Sequence, residues 1–137
     1  ININLKSVFM KKLSILLALF TLFLVSCEDE EDTSYTKADL LGKWEQVSPD
    51  PQQDAGDCTD YHVYLEFADT TFKTINACDG SETSVTMEYE FDGKVVSYSL
   101  FGIEVTMTIK ELSDTKLVVE ESAMGETGTE EYSKVTE

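Results

Sequence analysis

Ile103-Glu104-Val105-Thr106-Met107-Thr108-Ile109-Lys110 alternates without a break between apolar and polar residues. Successive side chains of a β-strand point to opposite faces, so this stretch builds one apolar face and one wet face. Working outward, Val85, Met87, Tyr89 and Phe91 make a second such face, opposed by Thr86, Glu88 and Glu90. Val63, Leu65 and Phe67 make a third. The pattern predicts strands near 43–48, 60–68, 71–77, 83–91, 94–100, 103–111, 115–121 and 128–136. Asp92-Gly93 is the strongest hairpin signal between them. Phe101-Gly102, Ser113-Asp114 and Gly125 to Gly128 are further expected turns, with Asp69-Thr70 a weaker one for want of glycine. Every connection is short except 49–59, so sequence neighbours are expected to pair antiparallel.

Before the first strand, Thr36-Lys37-Ala38-Asp39 has the form of a capping box. Leu40 and Leu41 then form the apolar side of a single helical turn that Gly42 stops. No amphipathic helix of useful length follows residue 42, so nothing is available to cover a sheet. Eight strands with one apolar face each must close on themselves or form a sandwich. Hairpin-short connections favour closure. The expectation is an all-β, eight-stranded antiparallel up-and-down barrel preceded by one short helical turn.

The chain has 137 residues, 27 acidic against 10 basic side chains, a net charge of −17, one His and three Cys. That is enough for one small domain with flanking segments. Nucleic-acid binding needs a basic, phosphate-neutralising face, and docking on anionic lipid needs the same, so both are excluded as partners. A single His leaves no His-rich metal centre. His62 sits opposite Tyr61 and Val63 in strand parity and is expected to point outward, away from any general-base role. No Gly-x-Ser-x-Gly, His-Glu-x-x-His or phosphate-binding Gly loop occurs. Asp50, Asp54, Asp57 and Asp60 could collect a hard cation, but their order matches no EF-hand, and Asp-rich loops are usually just solvated. Neither enzymatic activity, nor a cofactor, nor a metal is expected.

Met10 to Ser26 reads as a secretory signal, with Lys11 and Lys12 before an apolar run from Leu13 to Val25. That run is too short to span a bilayer. The residues before Met10 are expected to be a misplaced start or a fragment, so 1–26 as a whole is set apart from the fold. Leu24-Val25-Ser26-Cys27 resembles the lipobox of bacterial lipoproteins, which implies that the Cys27 thiol is acylated and becomes the mature N-terminus. Several acyl chains on one residue anchor stably where one chain binds only marginally. Glu28-Asp29-Glu30-Glu31-Asp32 follows, and five adjacent carboxylates repel one another into an extended tether over 27–35. This acidic cluster resembles the surface-export signal of Bacteroidota lipoproteins. The implied location is a lipid-anchored position in the outer membrane, facing the cell surface, with the periplasmic face as the alternative. Beyond Cys27 seven Lys stand against all 27 acids. The 22 acids outside the tether are expected on the outside of strands and loops, as a solubilising coat.

Leu41-Gly42-Lys43-Trp44 after a helical turn resembles the Gly-x-Trp signature that opens the first strand of lipocalins, with Gly42 and Trp44 closing the barrel. Asp57-Cys58, Leu65-Glu66-Phe67, Asp69-Thr70-Thr71-Phe72, Cys78 and the run Ile109 to Val119 follow the lipocalin-like domain of Bacteroidota lipoproteins. The resemblance covers about 36–136 and implies a lipocalin-like barrel over 36–137. Two departures stand out. Asp69-Thr70 replaces a common Asp-Gly turn. Lipocalins proper also cover the Trp with an Arg near the last strand, for which Lys134 is a loose substitute, since the two cations stack differently. The bacterial lipocalin-like group is the better match.

With Cys27 assigned to lipid, Cys58 and Cys78 form an even pair in an exported domain, for which a disulfide is the default and two free thiols the alternative. A tight turn at Asp69-Thr70 pairs Cys78 with Tyr61, so the bond requires an irregular segment around Cys58. The 49–59 and 77–83 connections, together with 101–102 and 122–127, fall at the end opposite Trp44 and form the mouth. Inward residues near it are Tyr61, Val85, Met87, Tyr98, Leu100, Ile103 and Val105. They line a site for a small hydrophobic or neutral ligand, or else simply fill a core. Three functions follow: a monomeric membrane-anchored carrier, a protein-binding or inhibitor module with a filled core, or an enzyme. The last would need clustered polar groups inside the barrel, where Tyr61, Asn76 and Tyr98 are the chief ones expected.

Overall fold

The computed structural model describes residues 33–136; the signal, Cys27 and most of the acidic tether lie outside the described residues. A helical turn α1 (Lys37–Leu40) leads into eight strands: β1 (Gly42–Ser48), β2 (Tyr61–Phe67), β3 (Thr71–Cys78), β4 (Ser81–Phe91), β5 (Val95–Leu100), β6 (Ile103–Leu112), β7 (Lys116–Ala123) and β8 (Glu126–Lys134). Each strand pairs antiparallel with the next, and β8 returns to β1, closing the expected up-and-down barrel. A 3-10 turn (Pro51–Asp54) interrupts the one long connection.

The capping box forms as the sequence implies. The Thr36 amide and hydroxyl both donate to Asp39 Oδ2, at 2.9 and 2.6 Å, which holds the Asp39 carboxyl below its usual pKa. The turn then seals one end of the barrel. Leu40 is buried beneath it, its carbonyl accepts the Trp44 indole N–H at 2.9 Å, and Lys37 Nζ donates to the Asp69 carbonyl at 2.7 Å. The Tyr35 amide ties the incoming chain to the Gly93 carbonyl at 2.7 Å. Tyr89 adds a bond from its hydroxyl to the Ala68 carbonyl at 2.8 Å.

Above this base the inward side chains interdigitate. Phe72 stacks on Phe67 with centroids 5.3 Å apart and meets the Tyr98 ring edge-on at 4.8 Å, geometries that suit aromatic quadrupoles. Met107, Ile109, Leu117 and Val119 complete the packed half, all fully buried.

The hairpins divide by end. At the base, Gly93 takes φ +102° in the turn that Asp92 organises by accepting from the Lys94 and Val95 amides. At the mouth, three tight turns place a non-glycine residue and a glycine in succession at positive φ: Asp79-Gly80, Phe101-Gly102 and Met124-Gly125. This backbone matches the twist of the strands it joins. The last of these corrects the expected 125–128 turn. Strand β7 runs on to Ala123 and β8 begins at Glu126, because two left-handed residues already suffice to reverse the chain.

Candidate functional site

Residues opposite one another across a ladder share a face, so the register assigns every interior position. Trp44 pairs with Leu65 and Lys134, Thr74 with Val85, Tyr98 with Tyr89 and Val105, Leu100 with Ile103, and Val105 with Ala123. All seven residues expected at the ligand site therefore lie on the inward face. Their environments differ. Met87, Tyr98 and Val105 are buried at the upper edge of the packed half. Tyr61 and Leu100 are half-buried. Val85 and Ile103 point inward yet keep 45% and 38% of their surface exposed. The barrel is thus filled towards the base and open towards the mouth.

The cysteines staple that open end. Cys78 sits opposite Tyr61 in the ladder, as a tight β2–β3 turn requires, and the disulfide reaches Cys58 in the irregular loop, with 5.7 Å between Cα atoms. Asp79 locks the loop down: its carboxylate accepts the Thr59 and Asp60 amides, and its own amide donates to the Asp60 carbonyl. With both sulfurs bonded to each other, no thiolate is available to a cation beside Asp79. Asp50 accepts the Gln52 amide and Asp60 bonds His62, so both serve the loop itself. His62 lies on the outer face, bonded through Nδ1 to Glu45 at 2.7 Å; that carboxylate raises its pKa.

The interior is more polar than the sequence reading allowed. Tyr61 donates to Asn76 Oδ1 at 3.0 Å, joining two residues expected inside. Three glutamates expected in the outer coat share the inward face: Glu126 at the rim, opposite Ala123, and, deeper, Glu121, opposite Met107 and Gly128, and Glu130, opposite Val119. Tyr98 donates to Glu121 Oε2 at 3.1 Å, and Tyr132 to Glu130 Oε2 at 2.5 Å. Burial pushes the Glu121 carboxyl up, the Glu130 charge adds to this, and the Tyr98 hydroxyl partly opposes it. Both phenols are driven well above their ordinary value, first by burial and then by the adjoining carboxylates. Strand parity counted from Leu117, Val119 and Tyr132 would have placed all three acids inside. The doublets Val118-Val119 and Glu130-Glu131 blur that parity, which is why the alternation alone missed them.

One seam in the wall is short. Strand β4 pairs with β5 from Tyr89↔Tyr98 to Phe91↔Val96, whereas it pairs with β3 over eight residues, from Ser81 to Glu88. A groove along this seam is lined by Met87, Glu88, Glu90, Tyr98, Ser99 and Glu104, among others, so it joins the outer surface to inward side chains. At the other closure, Lys134 Nζ lies 4.1 Å from the Trp44 ring centroid and donates to the Leu41 carbonyl. It is the inward-side lysine among the described residues, and it belongs to the base, away from these glutamates.

No curated protein matches the sequence significantly. Among solved structures, an alanine variant of the fluorescent protein UnaG is 16% identical with a TM-score of 0.46, the alignment covering 74% of this chain and 100% of that one. A Schistosoma mansoni fatty acid binding protein in complex with arachidonic acid is 10% identical with a TM-score of 0.42, covering 73% and 98%. Secretory abundant heat soluble protein 4 from Ramazzottius varieornatus is 14% identical with a TM-score of 0.43, covering 74% and 98%. The sequence profile of the lipocalin-like domain matches residues 40–119, from the buried Leu40 of the base through Val119 of β7. The chain belongs to the lipocalin-like domain family.

Proposed function

We propose that this protein is a membrane-anchored lipocalin-like lipoprotein that holds a small ligand, largely apolar and not anionic, in the mouth-side half of its barrel. One observation carries the reading: inward apolar side chains near the mouth remain open to solvent, Val85 and Ile103 most of all, while those towards the base are fully packed. Apolar surface that faces a concave interior and meets no protein atom is what a ligand of matching character covers. The interior carboxylates oppose an anionic head, since a further negative charge beside them would be repelled in a low-dielectric space. Family membership supports the barrel as the binding element. Anchoring rests on the Lys11-Lys12 start, the apolar run and the lipobox-like Leu24 to Cys27; outer-membrane surface location rests on the acidic residues that follow.

Native mass spectrometry of the purified barrel domain tests carriage: an adduct lost on denaturation supports it, and a clean apo mass across several growth conditions overturns it. Protease shaving of intact cells tests the location. Degradation of the domain supports surface exposure, and survival assigns the periplasmic face. A second reading, a protein-binding module, is favoured by Phe101 and Met124, which are 90% and 80% exposed at two mouth turns. It would be supported by a clean apo mass together with loss of a binding partner when both tips are made polar.

A further inference from the structure

We propose that the unpaired edge of β4 over Ser81–Thr86 receives an extended segment of another protein as an added strand, one that alternates Lys or Arg with apolar residues. This goes beyond ligand carriage and does not depend on it. The β4–β5 ladder ends at Tyr89↔Tyr98, and β5 itself ends at Leu100, two residues further on. Continued along that register, the chain reversal at Phe101-Gly102 comes level with Thr86, so β4 outruns its neighbour over Ser81 to Thr86. On the other side the same stretch is paired to β3, from Ser81↔Cys78 to Thr86↔Lys73. Every residue from Ser81 to Thr86 is exposed. The Tyr89 amide donates to the Thr70 carbonyl, on the β3 side. Main-chain groups alternate sides along an antiparallel strand, so Glu82, Ser84 and Thr86 turn their amides and carbonyls to the free edge.

Native sheets blunt such edges with Lys, Pro or a bulge. Ser81 to Thr86 contains no Lys or Pro, and its ladder to β3 runs without a bulge. The edge is also held in place. Cys78, opposite Ser81, is bonded to Cys58, and Asp79 in the same hairpin accepts the Thr59 and Asp60 amides. A strand fixed in advance loses little freedom when a second strand joins it.

The two faces of this edge specify the occupant. Glu82, Glu88 and Glu90 lie on the outward face of β4, and the groove that continues along the seam adds Glu104 from β6 and no basic residue. On the inward face Val85 is 45% exposed, and Phe101 is 90% exposed at the foot of the notch. Side chains of an added strand alternate between these faces, so basic residues meet the glutamates while apolar ones cover Val85. Charge disfavours the other occupants. A second copy of β4 would bring its own glutamates against Glu82 and Glu88, and the acidic Glu28–Asp32 of this chain would be repelled in the same way.

The test is fluorescence anisotropy of dye-labelled Lys-Val-Lys-Val-Lys-Val-Lys with the purified protein at about 0.15 M salt, where distant charges are screened. The isomer Lys-Lys-Lys-Lys-Val-Val-Val keeps charge and composition, and Glu-Val-Glu-Val-Glu-Val-Glu reverses the charge. The alternating basic peptide is expected to bind at least tenfold more tightly than either. Two analogues, N-methylated at every lysine or at every valine, separate main-chain pairing from side-chain attraction. Only alternate amides of an added strand face β4, so one analogue is expected to lose at least tenfold while the other binds like the parent. Ser84→Pro removes an edge-facing N–H and leaves the β3 ladder bonded, so it should weaken the parent peptide to the same extent, with unchanged Trp44 fluorescence reporting an intact barrel. Equal binding of the isomer, or of both N-methylated analogues, reduces the attraction to charge and overturns the proposal without any variant. Failure of the alternating peptide to bind overturns it as well. So does dimerisation of the free protein that Ser84→Pro abolishes, which would assign the edge to a second copy.

Discussion

The ammonium of Lys134 caps the indole of Trp44 at 4.1 Å while donating to the Leu41 carbonyl, so one side chain closes the barrel base from β8 onto β1 and the helical turn. Gly42 makes room for it: at φ +113°, a Cβ there would stand 2.8 Å from Lys134 Nζ. Lys134→Met is expected to lower stability by about 1–2 kcal/mol, through lost cation–π and hydrogen-bond energy. Lys134→Arg should recover much of it, because a guanidinium stacks on indole. Gly42→Ala should cost about 2 kcal/mol or more, from backbone strain and the displaced lysine. Urea unfolding followed by Trp44 fluorescence reads all three, and an Ala variant as stable as wild type would remove the clamp from the account.

Cys58→Ser/Cys78→Ser is expected to cost about 3 kcal/mol, the loop-closure value for a separation of 20 residues. The folded barrel should persist, because Asp79 still holds the loop through the Thr59 and Asp60 amides. Denaturant midpoints with and without reductant give the cost, and wild type alone should respond to reductant.

Glu121→Gln is expected to stabilise the protein at neutral pH. The folded-state pKa of Glu121 lies above its ordinary 4.5, so the fold holds the proton more tightly than the unfolded chain does. Stability is therefore favoured below about 4.5 and lost as pH rises through the raised value. Gln keeps an acceptor for Tyr98 without the charge. A gain of about 2–4 °C in Tm at pH 7, shrinking towards zero below pH 4, is the expected profile; a constant gain at every pH would assign it to packing instead.

His62 follows the same sense with pH, although here it is the charged form that the fold favours. Its folded pKa is raised chiefly by the Glu45 carboxylate, so its contribution is present below about 6.5 and fades as pH rises through the folded value. In Glu45→Gln the ring should titrate closer to its ordinary value, as followed by its proton chemical shifts. Because the pair is substantially exposed, the stability difference at pH 5.5 should stay near 0.3–0.5 kcal/mol.

Phe101 and Met124 occupy left-handed positions at φ 52°, where Asn or Asp is easier to accommodate, and both expose an apolar side chain. Phe101→Asn and Met124→Asn are each expected to stabilise by about 0.5–1 kcal/mol, visible as higher thermal midpoints. Destabilisation by either would mean that the tip packs in solution against something the barrel supplies.

Strict alternation in β6, and in the Val85 to Phe91 half of β4, made those strands legible, and parity then fixed which of their residues face in. The hairpin at Asp92-Gly93 was legible for the same local reason, since a glycine sets the backbone there. The turn at Met124-Gly125 was not, because neither a long apolar residue at positive φ nor a choice between Gly125 and Gly128 is decided by composition. The disulfide followed from pairing arithmetic, including the need for an irregular approach by Cys58. The Tyr98–Glu121 and Tyr132–Glu130 pairs were out of reach of local reading. Their position depends on carrying parity through doublets of like residues and, for Glu121, on a tyrosine that comes from a distant strand. Lys134 over Trp44 depends on closure of β8 against β1, a contact between the two ends of the fold.

The short β4–β5 seam gives the barrel the mechanics of a clamshell. Its wall consists of two four-stranded halves, β1–β4 and β5–β8, lightly joined at Tyr89 to Phe91 and bolted on the far side where Lys134 meets Trp44. Opening that breaks few main-chain bonds will therefore start at the seam and pivot about the bolt, so the two halves can part and reseal without the chain unfolding.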